Sequence, residues 1–268
     1  MYEDGNNTGL DQPLISPLSR KYYNYATEQD SRKHHRAGDI RICLEKICNE
    51  IIVDMVSDED RAKWSEYDLH EKLKASRQCL DSKKLVKKLI KAKIIGNKGA
   101  HDGEEGDYDE KDIEEAIEAI KEFSLEIFVS YFVRNGFNTQ KKSWMPTVFS
   151  TLPPIYRIQI LEKYYKKDNS AFVIDKLSKA YLKNGNAEQA EKYLKDCYEK
   201  GELTNVQYWW LMNDVSLLKA QLHKLPISKD LENARNNFNS LLPYIGEEKS
   251  DGFVCLVSSI LNGKDVNR

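Results

Sequence analysis

Lys93, Asn97 and His101 stand four residues apart in the stretch KIIGNKGAHDGEEG, residues 93–106. If helix runs through this stretch, the spacing sets an ammonium, an amide and an imidazole on one side of it. An imidazole can give or take a proton near neutral pH, and all three groups can donate hydrogen bonds. The same side carries Val86 and Ile90, so the polar ladder projects from a face expected to pack. Polar groups there need partners, because burying them unpaired is unfavourable. Lys93, Asn97 and His101 are therefore expected to converge in one pocket or interface.

Gly96 and Ala100 lie beside the ladder. A helical glycine costs roughly 1 kcal/mol relative to alanine, a cost more easily understood where another helix must approach closely. Leu85, Val86, Leu89 and Ile90 define one face of the segment from Asp81, and Lys84, Lys87, Lys88 and Lys91 the opposite one. That lysine run reads most simply as a solvated face. In the sharper reading Lys87 and Lys91 join Gly96 as binding residues. The plain reading of His101 is a helix-end histidine bonding last-turn carbonyls, and that of Asn97 a turn residue.

The elements that must hold these residues are helical. Prolines are few and clustered, leaving long windows free of helix breakers. Ser16-Pro17 supplies an N-cap and first-turn proline for a helix ending near Gly38. A second helix from Asp39 carries Ile40, Cys43, Leu44, Ile47, Ile51 and Ile52 at three-and-four spacing. A short helix over 69–75, one from Asp81, and a long one over about 109–133 with acids in its first turns complete the first half. The segment 135–154 is rich in Gly, Asn, Ser and Pro and reads as a linker, with 1–15 as a flexible lead. The expected domains are thus a bundle over 16–134 and a helical domain over 155–268.

Composition narrows the partners. A net charge of −2 excludes coating nucleic acid through bulk charge, so any RNA contact is local. The five cysteines are scattered, without a paired spacing for a disulfide framework or zinc. The acidic run after Asp102 lacks calcium-loop spacing. No metal and no cofactor are expected. No apolar run approaches a membrane span, and the acidic opening MYEDGNNTGLDQ is unlike a signal peptide. A cytoplasmic protein without membrane contact is the expectation.

ICLEKIC on a core helix, a lysine-rich helix ending in KIIGNKGAHDG, and the acid-capped DEKDIEEAIEAIKEFSLEIFVSYF together resemble the HEPN superfamily of helical domains. The closer likeness is to a prokaryotic branch often encoded beside restriction and phage-defence genes. It covers about residues 18–134, and its most specific element is Gly96-Asn97-x-x-x-His101, supported by Leu44-Glu45. The resemblance implies a bundle that dimerises and, in catalytic members, a metal-independent endoribonuclease. Histidine would then act on the ribose 2′-hydroxyl or the leaving oxygen, and arginine would steady the phosphorane. The strict arginine position here is Gly96, and Lys93 supplies the basic residue of the branch, without the bidentate fork of a guanidinium.

Further on, Leu177, Tyr181, Gly185, Ala190 and Leu194 fall at the offsets of a helical hairpin resembling a tetratricopeptide repeat over 171–204. A single repeat cannot bury its own face, so neighbouring helices must cover it. The expected fold is all-α: a HEPN-like helical bundle followed by tetratricopeptide-like hairpins. The expected function is a binding or regulatory protein, of a defence or toxin–antitoxin system. Its bundle would form a homodimer or bind RNA or nucleotide, and its C-terminal helices would hold a protein partner. The alternative is a metal-independent ribonuclease with Lys93, Asn97 and His101 as its catalytic residues. Of the remaining motifs, His34 and His35 in SRKHHR read as a basic surface patch. Tyr208, Trp209 and Trp210 cannot all face one way, so they divide between core and interface.

Overall fold

Apolar residues at helical spacing recur through the chain, and the structure follows them. The computed structural model describes residues 12–102, 107–137, 144–246, 249 and 251–264. All regular elements among the described residues are helical, so the protein is all-α. No described helix is long and apolar enough to cross a membrane.

The chain divides into two compact units. The first comprises residues 11–131 and 248–268. It contains α1 (Pro17–Thr27), α2 (Lys33–Glu50), α3 (Asp58–Ala62), α4 (Leu69–Ala75), α5 (Lys83–Asp102) and most of α6 (Glu110–Asn135). The second spans 132–247 and holds α7 (Met145–Phe149), α8 (Pro154–Tyr165), α9 (Ala171–Lys183), α10 (Ala187–Glu199), α11 (Asn205–Gln221) and α12 (Leu231–Ile245). The last helix, α13 (Gly252–Asn262), returns to the first unit.

This division differs from the one expected from sequence, for a visible reason. The run FVCLVSSIL is predominantly apolar, as a largely buried helix is. Phe253, Val257 and Ile260 of α13 are fully buried, and the Phe253 ring lies 5.3 Å from that of Tyr131. The Arg20 guanidinium donates to the Ile260 carbonyl at 3.3 Å. Nor is 135–154 a bare linker. Residues 138–143 lie outside the described residues, but Met145, Val148, Phe149 and Leu152 are at most 2% exposed. The expected lead over 1–15 lies outside the described residues up to 11, while Leu14 and Ile15 are fully buried.

Local signals set the helix ends. Ser16 accepts from the Ser19 amide at 3.2 Å with Pro17 next in line, as the sequence predicts. Asp68 and Glu71 form a reciprocal capping box on α4. Asp109 and Asp112 exchange side-chain bonds with each other's amides at the start of α6. The expected break at Gly38 does not occur: α1 stops at Thr27, and α2 starts at Lys33 and runs through Gly38. The core extends back to Arg36 and Ala37, 6% and 0% exposed. Burial there favours helix over the break that glycine permits.

The glycines of α5 do not interrupt it either. A Cβ on Gly96 would stand 2.6 Å from Arg41 Cβ and 3.0 Å from the Ala37 carbonyl oxygen. One on Gly99 would stand 2.4 Å from Ala37 Cβ and 2.9 Å from the His34 carbonyl oxygen. The two glycines are where α5 meets the backbone of α2. Ala100, expected to share this role, is exposed, and Gly99 takes its place.

In the second unit α9 and α10 form a hairpin turned at Gly185, whose φ of +83° is in the left-handed region open to glycine. Asn186 caps α10 by accepting from the Gln189 amide at 3.0 Å. Ile174, Leu182, Ala190, Leu194, Cys197 and Val215 from α9, α10 and α11 make one buried cluster. Burial pushes the Cys197 thiol up to about 11. Tyr165 donates to Glu202 at the rim of the cluster.

The glycine contacts predict opposite responses to the same substitution. Gly99→Ala should lower stability by about 1–3 kcal/mol through overpacking against α2. Gly38→Ala, with nothing within 4 Å of the new Cβ, should raise it by roughly 0.5–1 kcal/mol. Urea midpoints of the two variants provide the check.

Candidate functional site

With Gly96 and Gly99 seated on α2, the rotation of α5 about its axis is set. Its buried face carries Leu85, Val86, Leu89, Ala92, Ile95, Gly96 and Gly99. Each step of four residues advances about 40° around a helix, so a ladder at that spacing drifts off any fixed face. Lys93 and Asn97 are half-buried, and His101 is exposed at the end of α5. Lys93 and Asn97 stay at the margin of the packing face and only His101 stands out from it, with no side-chain hydrogen bond among the three within one chain.

Each has a distinct setting. Asp68, the N-cap of α4, is held below the usual carboxylate range chiefly by the Glu71 amide it accepts, and to a smaller degree by the charge of Lys93. Asn97 Oδ1 is buried without a hydrogen bond. Arg41 Nε on α2, beside Gly96, is likewise buried and unmet. A donor and an acceptor thus both stand unused where α2 and α5 touch. Among the described residues, none donates to or accepts from His101.

The lysine face divides. Lys91 reaches Glu115 at 2.8 Å and Asp112 at 3.1 Å on α6, and Lys88 reaches Glu122 at 2.5 Å. The hydrogen bonds to Glu115 and Asp112 raise the Lys91 ammonium above its ordinary range, and the Lys91 bond lowers Asp112. Lys87 is exposed, without an ion pair among the described residues. Lys91 therefore faces α6 and Lys93 lies near α4, so the two do not share a side.

His34 and His35, read from sequence as a basic surface patch, lie on the opposite flank of Gly99. A cleft of about 500 Å³ opens there, lined among others by Glu28, His34, His35, Asp39 and Ala100. The two imidazoles stand edge to face at 4.2 Å. Burial raises the Asp39 carboxyl, opposed by the charge of His35 and assisted by Glu28. Among the described residues, no group of three or more His, Cys, Asp or Glu side chains is placed to hold a metal.

The second unit presents a different surface. Tyr208 stacks on Tyr198 at 4.7 Å and packs on the buried cluster. Its neighbours Trp209 and Trp210 are 63% and 74% exposed, and Val206 and Leu217 on the same helix are 70% and 56% exposed. Val206, Trp210 and Leu217 fall within about 40° of one another around α11. That is an apolar stripe along a helix whose other side is already buried.

Comparison with known proteins adds no relative: no family model, no curated protein and no solved structure matches the chain.

Asn97 gives a test of whether the margin of α5 is built for stability. An unmet buried oxygen contributes nothing to folding, so Asn97→Leu should leave the unfolding free energy from urea titration unchanged or raise it, by up to roughly 1 kcal/mol. A clear fall would make Asn97 a structural residue.

Proposed function

We propose that the protein works by binding. In this reading a HEPN-like bundle takes RNA or a nucleotide, or a second copy of itself, along the margin of α5, and the helical hairpins hold a protein partner. One observation supports it above the rest. Lys93, Asn97 and His101 keep their donors uncommitted among the described residues while rising from half-buried to exposed. Uncommitted donors on a ledge suit a ligand laid along the helix. A general acid or base needs its partner within hydrogen-bond reach, and within one chain these three do not supply one another. Lys93 gives the local positive charge that an acidic chain requires for phosphate contact, and His101 adds an imidazole to the same ledge.

The partner surface in this reading is the stripe of Val206, Trp210 and Leu217, with the exposed Trp209 on its flank. It lies on α11, which ends a run of hairpins whose helices bury one face against the next. An amphipathic helix of another protein would continue that stacking, with aromatic anchors of the kind that dominate interfaces.

A second reading, the metal-independent ribonuclease, is favoured by Arg41. Its side chain leaves α2 beside Gly96, with Nε unmet. In this reading Arg41, from the neighbouring helix, would stand in for the guanidinium absent at position 96. Two copies meeting across α5 would then bring exposed His101 side chains to one site.

The two readings part in a single assay. With diverse RNAs in the presence of a chelator, binding alone gives no turnover, and Lys93→Ala and His101→Ala weaken RNA affinity several-fold. A nuclease instead leaves 2′,3′-cyclic phosphate ends, loses on the order of a hundredfold in rate with His101→Ala, and gains with Lys93→Arg. Metal-free cleavage abolished by His101→Ala would replace the first reading with the second. For the partner surface, the Trp209→Ala, Trp210→Ala double variant should keep its unfolding free energy within about 0.5 kcal/mol of the parent. Leu194→Ala in the buried cluster should cost about 2–5 kcal/mol.

A further inference from the structure

Arg157 is out of place by ordinary rules of burial. It sits in PPIYRIQIL at the start of α8, between buried Tyr156 and Ile158, and is itself 5% exposed. A buried guanidinium is normally matched by a carboxylate and fully hydrogen-bonded. Here Nε has no partner, and no ion pair reaches the group from any described residue. Its charged neighbours are mostly of its own sign.

Those neighbours sort themselves by what neutralises them. Lys176 and Lys179 on α9 pair with Asp175 at 3.0 and 2.6 Å, and Lys179 also with Asp214 at 3.0 Å. Lys183, at the end of α9, has no ion pair among the described residues. Burial and the charges of Arg157, Lys176 and Lys179 hold its ammonium down at about 8, opposed by Asp175. Burial alone lowers Arg157 to about 10. Two adjoining cations, Arg157 and Lys183, are left without a counter-charge.

Both line an open pocket of about 490 Å³ within the second unit, to which α12 contributes Leu241 and the exposed Tyr244 and the preceding loop Ile227. The exposed Thr147 adds a hydroxyl to the lining. Both cations also line a smaller adjoining cavity of about 70 Å³, beside Phe137 and Leu161. The larger volume lies within the roughly 300–1,000 Å³ of small-ligand pockets. It combines a charged end with an apolar wall.

We infer that this cavity is a binding site for a phosphomonoester with an apolar or aromatic body, its phosphate held between Arg157 and Lys183. A dianionic phosphate balances two cations where a carboxylate balances one, and a guanidinium grips two of its oxygens at once. The body lies against Ile227, Leu241 and Tyr244. The site is independent of the reading of α5.

The test uses the full chain, with inorganic phosphate and phenyl phosphate as probes against chloride at matched ionic strength. Both probes should raise the thermal midpoint, by roughly 3 °C at ten times the dissociation constant, and phenyl phosphate should act at lower concentration. Near pH 8 binding should take up protons in calorimetry, as the phosphate restores the charge of Lys183 amid Arg157, Lys176, Lys179 and Asp175. Arg157→Met should abolish both shifts while keeping or raising the midpoint of the free protein, because it removes an uncompensated buried charge. Lys183→Gln should weaken binding by roughly tenfold or more. A midpoint unmoved by either probe would overturn the proposal, as would a shift that persists in Arg157→Met. Inorganic phosphate binding as well as phenyl phosphate would remove the apolar body from it.

Discussion

The contact of Gly96 and Gly99 with the backbone of α2 governs what the first unit can present to solvent. Without a Cβ at either position the two helices close to a separation that any side chain would prevent. That contact fixes the rotation of α5, and every other side chain on the helix inherits its direction. Lys91 is sent to the acids of α6, Lys93 towards the N-cap of α4, and His101 outward. The same approach lays Arg41 beside Gly96, on a different helix from the residues of the sequence motif.

Stability and binding capacity separate in the same places. Asn97 Oδ1, Arg41 Nε and Arg157 Nε are buried without hydrogen bonds, each a loss to folding that a hydrophobic side chain would avoid. Glu50 Oε2 and the Tyr193 hydroxyl are unmet as well, whereas many other polar groups are paired. Asp68 and Thr204 cap their helices reciprocally, Ser228 donates to the Thr151 carbonyl at 2.6 Å, and Trp64 Nε1 finds Asn49 at 3.1 Å. Unmet groups beside a cavity or a close helix contact are the ones on which the proposed binding readings rest.

The two units also differ in how their helices are hidden. In the first, α13 arrives from the far end of the chain, and its predominantly apolar surface makes it core. In the second, α9, α10 and α11 are covered by their neighbours in sequence, so the last of them keeps an outer face bearing Trp209 and Trp210. Hairpin stacking is local and leaves an end, whereas a bundle closed by a distant helix does not.

Local chemistry was legible in the sequence. The all-α class, the Ser16-Pro17 start of α1, the acid-rich start of α6 and the hairpin turned at Gly185 follow from side-chain-to-backbone bonding, spacing and glycine's φ range, all set within a few residues. The polar ladder was legible as a pattern, but its fate was not. A four-residue spacing says which residues share a side of α5, not which way that side faces, and the facing depended on two glycines meeting Ala37 and Arg41 from another helix. The return of α13 and the isolation of Arg157 among lysines were decided by tertiary structure for the same reason. Burial and charge compensation depend on which distant segments arrive, and spacing along one segment carries no record of that.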